Sequence, residues 1–357
     1  MTTCRGCRAE ALARVLDLGK VPAAKHFPPV AQPVESDEMS ELAMDLCTSC
    51  GLVQLADDDT VTDEPRGLEP QALIDQAEDA INRVAAAGWL RGSSVLEFGS
   101  PHGGTWIQLL TERGYIETDS RADVVLDSFG IMHEPDQQAA FAHRADVTAP
   151  GGVLLLQYHS IASIIQGRQW NSLRHGHFAY YSMTALDRLL TAVDMHIATA
   201  WEFDLYGGTN LVAAVHDEVE PDDTVRRILA AEDALGAADP NVVRSLQVSA
   251  DEHLQSLLGW LNEEKAADRT VFAYGAASRA VSVFSMAGIH SGLITAVADA
   301  SPVKQGMRMP GTDIPIISPE ELIAAKPDQV LLTLPDLLSE VSTRYPELDG
   351  RWKVDGQ

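Results

Sequence analysis

Four cysteines in two matched pairs constrain this chain more than any other feature of its sequence. They form the motifs Cys4-x-x-Cys7 and Cys47-x-x-Cys50, and the chain contains no other cysteine. A redox dithiol or a chance spacing would need only one such pair, whereas four soft thiolates suit a tetrahedral zinc ion. We therefore predict a zinc site in which every ligand is a cysteine. Because no coordination position stays open for a substrate, we expect the metal to be structural.

The overall charge limits the kind of partner. The chain has 357 residues with a formal net charge of −26, and 45% of the residues are apolar. Such acidity repels nucleic-acid phosphates and anionic lipids, which bind to clustered Lys and Arg. The N-terminus lacks the apolar core of a signal peptide, and no later stretch approaches the ~18 apolar residues of a membrane helix. We expect a cytoplasmic protein that acts on a small molecule, with neither nucleic acid nor a membrane as partner.

Hydrophobic periodicity divides the chain into parts. The first 60 residues contain several prolines and few apolar runs, so we predict a small, irregular zinc-binding lobe with little core. From residue 94 onward, strand and helix patterns alternate as in a doubly wound α/β sheet. The predicted elements are helices at 72–87 and 105–113, strands at 95–98, 122–126, 152–157 and 271–275, and a helical block at 224–267. The predicted domains are residues 1–60, 72–218 and 219–357, the last combining a helical linker with a C-terminal α/β domain.

A glycine-rich turn follows the first strand of the alternating region. Residues 97–104 read EFGSPHGG, between a predicted strand and a predicted helix. Glycines at such a turn let a ligand approach the backbone, and the N-terminus of the following helix faces that ligand. An ordinary tight turn has the same pattern, so the motif by itself is weak evidence for a cofactor site.

Several longer motifs resemble those of the zinc-containing sugar C-methyltransferases, and the resemblance covers nearly the whole chain. The similar segments are the cysteine pairs, CGLVQL at 50–55, Glu97-x-Gly99, YGAASR at 274–279, DASPVKQG at 299–306 and PGTDIPI at 310–316. The resemblance implies a small zinc-binding lobe, a class I methyltransferase-like (Rossmann-like) sheet and a C-terminal α/β domain. It implies that S-adenosylmethionine (SAM) would bind at Glu97, Gly99 and Gly103. It further implies a nucleotide-linked keto sugar as substrate and methyl transfer to a carbon beside the ketone.

The chemistry of such a carbon calls for a general base and for a polar group that holds the enolate oxygen. The resemblance aligns His177 with the base of the family and His133 with a second family histidine. Imidazole titrates near neutral pH, so both are candidates for proton transfer. A single histidine is more often structural, but His175 and Arg174 in the same segment favour a functional role. Arg174 would be a fixed cation able to bind an enolate or carboxylate oxygen.

Two further segments are candidates for substrate binding. Tyr206 and Gly208 match a Gly-Gly turn that lines the substrate cavity in the family, and a simple hairpin turn is the alternative. Lys304 and Arg308 are expected near an anionic group of the nucleotide. The alternative is ordinary surface charge, which we favour slightly for Arg308.

The chain departs from the family pattern around the cofactor. Only residues 115–121 separate the helix from the next strand, so the second and third strands of the SAM domain are predicted to be missing. In the methyltransferase strand order these two form one edge, and their loss would expose the first strand while leaving the rest paired. The acidic residue that accepts the ribose hydroxyls would be lost with them. His102, Arg174 and Gly176 also replace the Asp of the glycine turn and the Tyr and Glu of a Tyr-x-Glu-His segment.

Three functions therefore stay open. The favoured hypothesis is a SAM-independent enzyme that abstracts a proton beside a carbonyl and completes an isomerisation, epimerisation, elimination or cyclisation. The alternative is a SAM-dependent C-methyltransferase that holds adenosine through other residues, such as Tyr115, Asp119 or Asp127. The third is a non-catalytic partner subunit. A buried carboxylate beside the turn 99–104 would favour the methyltransferase.

Overall fold

The computed structural model describes residues 3–23, 27–56, 71–99 and 104–356, which form three β-sheets with intervening helices. His102 and Gly103 of the glycine turn lie outside the described residues. None of the helices in these ranges is long and apolar enough to cross a membrane.

The first sheet is antiparallel and belongs mostly to the zinc-binding lobe. Its strands in the lobe are β1 (Leu12–Pro22), β2 (Met39–Cys47) and β3 (Val53–Leu55). The predicted irregular lobe with little core is therefore wrong, because Leu16, Met44 and Leu46 are almost completely buried. Part of the partner surface for β1 comes from helices beyond residue 239, so the lobe sequence alone does not reveal the core.

The second sheet is the predicted class I methyltransferase-like sheet. Its strands are β4 (Ser94–Phe98), β5 (Ile116–Glu117), β6 (Ala122–Ser128), β7 (Thr148–His159), β9 (His196–Phe203) and β10 (Thr209–Val215). They lie in the order β5-β4-β6-β7-β10-β9, with the first four parallel and β10 antiparallel to both neighbours. The helices of this region are α1 (Gln71–Ala86), α2 (Ile107–Thr111), α3 (Gln137–Val147), α4 (Ile161–Gln166) and α5 (Met183–Thr191).

The edge of this sheet corrects in part the prediction that the first strand is exposed. Strand β5 pairs with the start of β4, with Ser94 opposite Ile116 and Val95 opposite Glu117. The first strand is thus covered along part of its edge, although β5 has only two residues. The short segment 115–121 forms a remnant at the position of the second strand, because Ile116 and Thr118 donate amide bonds to β4 and the preceding residue Ser93.

The third sheet is wholly parallel and forms the C-terminal α/β unit. Its strands are β11 (Val271–Tyr274), β12 (Val297–Ala298), β13 (Ile316–Ile317), β14 (Gln329–Leu332) and β15 (Trp352–Val354), and its helices are α9 (Ser278–Met286), α10 (Pro319–Ala325) and α11 (Leu338–Arg344). The predicted helical block before it is three helices, α6 (Asp223–Leu235), α7 (Pro240–Val243) and α8 (Ser245–Ala266). Gly236, left-handed with φ 77°, ends α6, and Pro240 begins α7.

One short strand outside the zinc-binding lobe completes the first sheet. Strand β8 (Ala179–Tyr180) pairs with β3, with Val53 opposite Tyr180 and Gln54 opposite Ala179. Because β8 directly follows the histidine segment, the zinc-binding lobe lies against that segment. The fold class is confirmed: an α/β chain with a zinc-binding lobe, a truncated methyltransferase-like sheet and a C-terminal α/β domain.

Candidate zinc centre and histidine site

The four predicted cysteines come together in the zinc-binding lobe. Their sulfur atoms all lie within 4.8 Å of one another, and the Sγ–Sγ distance is 3.6 Å for both Cys4–Cys50 and Cys7–Cys47. Zn–S bonds of about 2.3 Å in a tetrahedron place two sulfurs about 3.8 Å apart, so the cluster fits the ion. Cys7 N also approaches the sulfur of Cys4 at 3.5 Å, as expected for a knuckle turn. Four cysteine ligands complete the coordination, which makes this a structural zinc site.

A side chain inside the first cysteine pair connects the zinc site to the histidine segments. The Arg5 guanidinium donates to the carbonyl of Pro135, two residues after His133, at 3.1 Å. It also lies 4.8 Å from the ring centroid of Phe178, which follows His177. Phe178 N in turn donates to the carbonyl of Met132 at 2.7 Å. The zinc knuckle therefore supports both segments that carry the candidate bases.

His133 and His177 form a pair. Their ring centroids lie 4.5 Å apart at an interplanar angle of 80°. His133 Nδ1 lies 2.9 Å from the carbonyl of Gly176, which only accepts, so Nδ1 carries the proton and the lone pair is on Nε2. His177 Nδ1 lies 3.5 Å from Arg174 Nη2, which only donates, so there the lone pair is on Nδ1. Each imidazole thus has a defined acceptor nitrogen.

His175 does not belong to this pair. Its Nε2 lies 3.1 Å from the carbonyl of Glu41 in β2, and the residue is 4% exposed. The glycine at Gly176, with φ 77°, separates the directions of the two neighbouring histidines. The geometry connects His175 to the zinc-binding lobe and gives no support to its predicted catalytic role.

Arg174 lies at the junction with the C-terminal unit. Its guanidinium donates to the hydroxyl of Ser278, the first residue of α9, in addition to its contact with His177. The next residue, Arg279, is close enough that the charge of Arg174 adds to burial in lowering the pKa of Arg279. The two guanidinium groups create a local positive charge in an otherwise acidic chain.

A third histidine faces the same junction. His159 is the last residue of β7, and burial, followed by the charges of Arg279 and Arg174, lowers its pKa to about 3. His159 is therefore neutral at physiological pH. It also lines a narrow pocket at the ends of β6 and β7, together with Phe129, Met132 and Tyr181 among others.

Tyr206 borders this junction. Steric crowding explains why the next turn contains glycine. The Tyr206 ring centroid lies 6.0 Å from that of Phe129, and the Arg279 guanidinium lies 5.8 Å from the Tyr206 ring centroid. A Cβ on Gly208, whose φ is 139°, would lie 2.3 Å from the hydroxyl of Ser163. The turn is the hairpin connection between β9 and β10, and the role of Tyr206 and Gly208 in substrate binding stays a prediction.

Lys304 and Arg308 have internal partners. Lys304 Nζ donates to the carbonyl of Ala276 at 2.8 Å and lies 4.9 Å from the ring centroid of Phe27. Arg308 is 1% exposed and makes a bidentate ion pair with Asp37 at 2.6 and 2.7 Å. The description of Arg308 as surface charge is therefore wrong. Its guanidinium is bound to Asp37 of the zinc-binding lobe. Lys304 stays a prediction as a substrate ligand.

Two carboxylates with different partners lie at the described part of the glycine turn, Glu97 within it and Asp127 beside it, opposite Phe98 in the neighbouring strand. Glu97 accepts from the amide of Trp106 at 2.7 Å and from the hydroxyl of Thr105 at 2.5 Å. Asp127 is 1% exposed and accepts from the amides of Gly130 and Ile131 and from Arg144. Asp127 is therefore fully engaged in holding the turn that carries His133, which leaves it no capacity for adenosine.

Glu117 is an acidic residue near the glycine turn that the sequence analysis did not consider. It is exposed at the end of β5, and burial chiefly, with a contribution from the charge of Glu117, raises the pKa of Glu97. Tyr115, proposed above for adenosine, is half-buried and packs against a hydrophobic core cluster, whereas Asp119 is exposed after β5. A two-residue strand is too short to show a recognisable pattern in the sequence, which is why β5 and Glu117 were missed.

Arg279 and His159 were also missed as site residues. His159 is the last residue of β7 and Arg279 is the second residue of α9, the helix after β11, so both are near the carboxyl ends of parallel strands, where ligands bind in open α/β sheets. That topological rule, applied to each charged residue after a predicted strand, would have found them.

Family models match three segments of the chain. A C-methyltransferase C-terminal domain matches residues 204–352, a zinc-binding domain matches residues 4–62, and a methyltransferase domain matches residues 116–199. Together the three cover most of the chain, in the order that the sequence motifs indicate.

A curated relative and solved structures are also similar. The C-methyltransferase NovU of Streptomyces niveus is 26% identical over 231 residues, which cover 63% of this chain and 54% of that protein, so the chain spans about half the length of this relative. Magnesium protoporphyrin IX methyltransferase from Synechocystis is 10% identical, covering 40% of this chain and 83% of its own, with a TM-score of 0.30. N-methyltransferase NodS from Bradyrhizobium japonicum is 16% identical, covering 42% and 100%, with a TM-score of 0.29. The three domain matches and the similarity to NovU support the resemblance to the zinc-containing sugar C-methyltransferases that the sequence motifs indicate.

Proposed function

We propose that the protein is a SAM-dependent C-methyltransferase that acts on a carbon beside the ketone of a nucleotide-linked sugar. The observation that carries this proposal is the pair of His133 and His177 beside Arg174, which provides a base and a cation at one place. The family matches support this alternative better than the SAM-independent hypothesis that the sequence favoured.

His177 is the proposed base. The Arg174 N–H that faces its Nδ1 turns to the carbonyl oxygen of the bound substrate. The freed Nδ1 lone pair takes the proton from the carbon beside the ketone, the C–H bond breaks, and the electron pair moves onto the carbonyl oxygen. Arg174, 3.5 Å from that nitrogen, then offers N–H groups to the enolate oxygen. His133, in edge-to-face contact with His177, would receive or relay the proton through Nε2.

The described residues fit SAM at the glycine turn. Gly99 leaves the backbone open, since a Cβ there would meet no atom of the described residues within 4 Å, and Glu117 offers a carboxylate for ribose hydroxyls. Glu97 holds the start of α2 in place through Trp106. When bound, SAM supplies an electrophilic methyl group. These residues would bind and orient the cofactor, and Gly103 stays a prediction.

One observation favours the SAM-independent enzyme as a second candidate. Strand β5 has two residues and no further strand lies beyond it in the described sheet, so little protein surface is available for adenine. In that enzyme His133 and His177 would keep the same proton transfer, and the enolate would be reprotonated or would eliminate.

Calorimetric titration with SAM and with S-adenosylhomocysteine tests the proposal. Micromolar binding of either is expected, and Glu117→Gln should weaken it about tenfold by removing a charged hydrogen-bond acceptor. Glu112→Gln, at an exposed glutamate just after α2, serves as the matched control. Absence of heat and of any thermal shift with both ligands would refute methyl transfer from SAM and leave the second candidate.

Exchange of a substrate α-proton with solvent deuterium tests the base separately. His177→Gln should slow exchange by about 10²–10⁴-fold, the usual contribution of a general base. His175→Gln, which changes a histidine two positions away that contacts the lobe, should slow it far less. Equal effects of the two substitutions would remove His177 from the mechanism.

A further inference from the structure

Two neighbouring, half-buried arginines at the junction, Arg174 and Arg279, differ from Arg144 and Arg308, which are almost completely buried. Buried Arg144 pairs with Asp127 at 2.9 Å, and buried Arg308 pairs with Asp37 at 2.6 Å. Among the described residues, by contrast, no carboxylate lies within ion-pair distance of Arg174 or Arg279. Asp336 and Asp355 act on Arg279 only from farther away, and Asp355 is already paired with His253 at 2.7 Å.

The hydrogen-bond and ring contacts of the two arginines within the described ranges are to neutral groups. Arg174 donates to the neutral hydroxyl of Ser278, and Arg279 faces the ring of Tyr206. His159 beside them is neutral, because burial and the two arginines keep its pKa low. We describe this set, Arg174, Arg279, His159, Ser278 and Tyr206, as the arginine pocket.

Holding two positive charges close together and partly away from solvent costs free energy unless an anion compensates them. The chain has 52 acidic and 26 basic residues, so an acidic partner would have been easy to provide. An enolate supplies one negative charge, and only as the reaction proceeds. Two arginines call for an anion that is already present in the bound substrate.

The position of the pocket selects the kind of anion. Arg174 Nη2 lies 3.5 Å from His177 Nδ1, so an oxygen bound to Arg174 lies beside the carbon that loses its proton. A carboxylate attached to that carbon meets this condition, and its two oxygens match the planar guanidinium fork. A diphosphate is linked through the anomeric carbon, which places it farther from a reacting carbon elsewhere on the ring.

We propose that the arginine pocket binds a carboxylate carried next to the reacting carbon, so that the substrate is a nucleotide-linked keto sugar acid. This inference rests on the proposed function, because it takes His177 as the base. It assigns Arg279 to the resting carboxylate, and Arg174 to the carboxylate and the enolate oxygen that forms beside it.

Calorimetric titration of the full zinc-loaded chain with two structurally matched ligands tests the proposal. UDP-glucuronate and UDP-glucose share the nucleotide and the diphosphate, and differ in a carboxylate against a hydroxymethyl group. UDP-glucuronate should bind about tenfold or more tightly, as expected for a charged hydrogen bond. Arg279→Met should remove that preference, Arg279→Lys should keep most of it, and Arg226→Met on the exposed face of α6 should leave it unchanged.

Other outcomes overturn the proposal in distinguishable ways. Equal affinities for the two sugars, both lost in Arg279→Met, would mean that the pocket binds diphosphate, and inorganic pyrophosphate would then compete. Failure of both sugars to bind would also overturn it. The proposed function is judged separately, since binding of SAM and the effect of His177→Gln on proton exchange do not require a carboxylate.

Discussion

His159 shows how one half-buried residue responds to the charges around it. Its pKa falls to about 3 because burial, Arg279 and Arg174 all disfavour the imidazolium ion. An unfolded histidine titrates near 6.5. Between these values the unfolded chain binds a proton that the folded chain does not, so the free energy of unfolding decreases as the pH falls below about 6.5.

This difference predicts a pH-dependent stability. The contribution of His159 to the decrease is at most about 1.4 kcal/mol per pH unit between pH 6 and pH 4. His159→Asn should remove this contribution and make the pH dependence shallower by that amount. Urea unfolding at several pH values measures it, with exposed His290→Asn as the control. If both variants keep the wild-type slope, His159 is protonated in the folded protein at these pH values.

Motifs at the residue scale identified the metal ligands but only part of the site. Cysteine spacing is nearly sufficient for a zinc site, because four thiolates at such spacings have few other uses. The orientation of His175 could not be predicted, since a two-residue offset in an irregular segment does not define direction. Arg279 was overlooked because its significance depends on Arg174, which is 105 positions away in the sequence.

Individual helices and strands were predicted well where one continuous segment carries a clear apolar pattern. Strand β11 and helix α1 lie within one residue of their expected positions, because each has a clear apolar pattern and a defined end. Strand β7 begins before the Pro-Gly-Gly segment that was expected to precede it, with an irregular register opposite β6. The strands of the zinc-binding lobe were missed because part of their core comes from other parts of the chain.

The pairing of β3 with β8 gives the zinc site an indirect role in the function. Arg5 in the zinc knuckle contacts both histidine segments, and His175 binds β2. Loss of the metal should release these supports, because a structural zinc supplies much of the folding energy of a small lobe. The geometry of His133 and His177 would then no longer be fixed.

We therefore expect a chelator to abolish proton exchange at the substrate carbon even though zinc takes no part in the chemistry. Exchange and near-ultraviolet circular dichroism should change together, and added zinc should restore both. Cadmium, which also binds four thiolates, should restore exchange as well if the metal is structural. Exchange that survives complete removal of zinc would show that the lobe does not support the histidines.

At the scale of the whole molecule, a buried ion pair connects the zinc-binding lobe to the C-terminal unit. Arg308 is 1% exposed, and besides Asp37 it donates to the carbonyls of Gln32, Pro33 and Thr312. Asp37 also accepts the amide of Gly311 at 2.7 Å. Because the lobe contacts the histidines while the C-terminal unit carries Arg279, this connection helps to set the relative positions of both halves of the site.

Arg308→Met should therefore lower the free energy of unfolding by about 3–5 kcal/mol, since it leaves the Asp37 carboxylate buried without its bidentate arginine. Replacing Asp37 as well, in Arg308→Met with Asp37→Leu, should recover part of that loss, because no buried charge is then left unpaired. The exposed pair of Arg226 and Asp223 provides the comparison, and Arg226→Met should cost less than about 1 kcal/mol. Urea unfolding of the zinc-loaded chain measures all three. A cost for Arg308→Met as small as that of the exposed pair would mean that the contact does not hold the two units together, and the arginine pocket would then have to be assembled by other contacts.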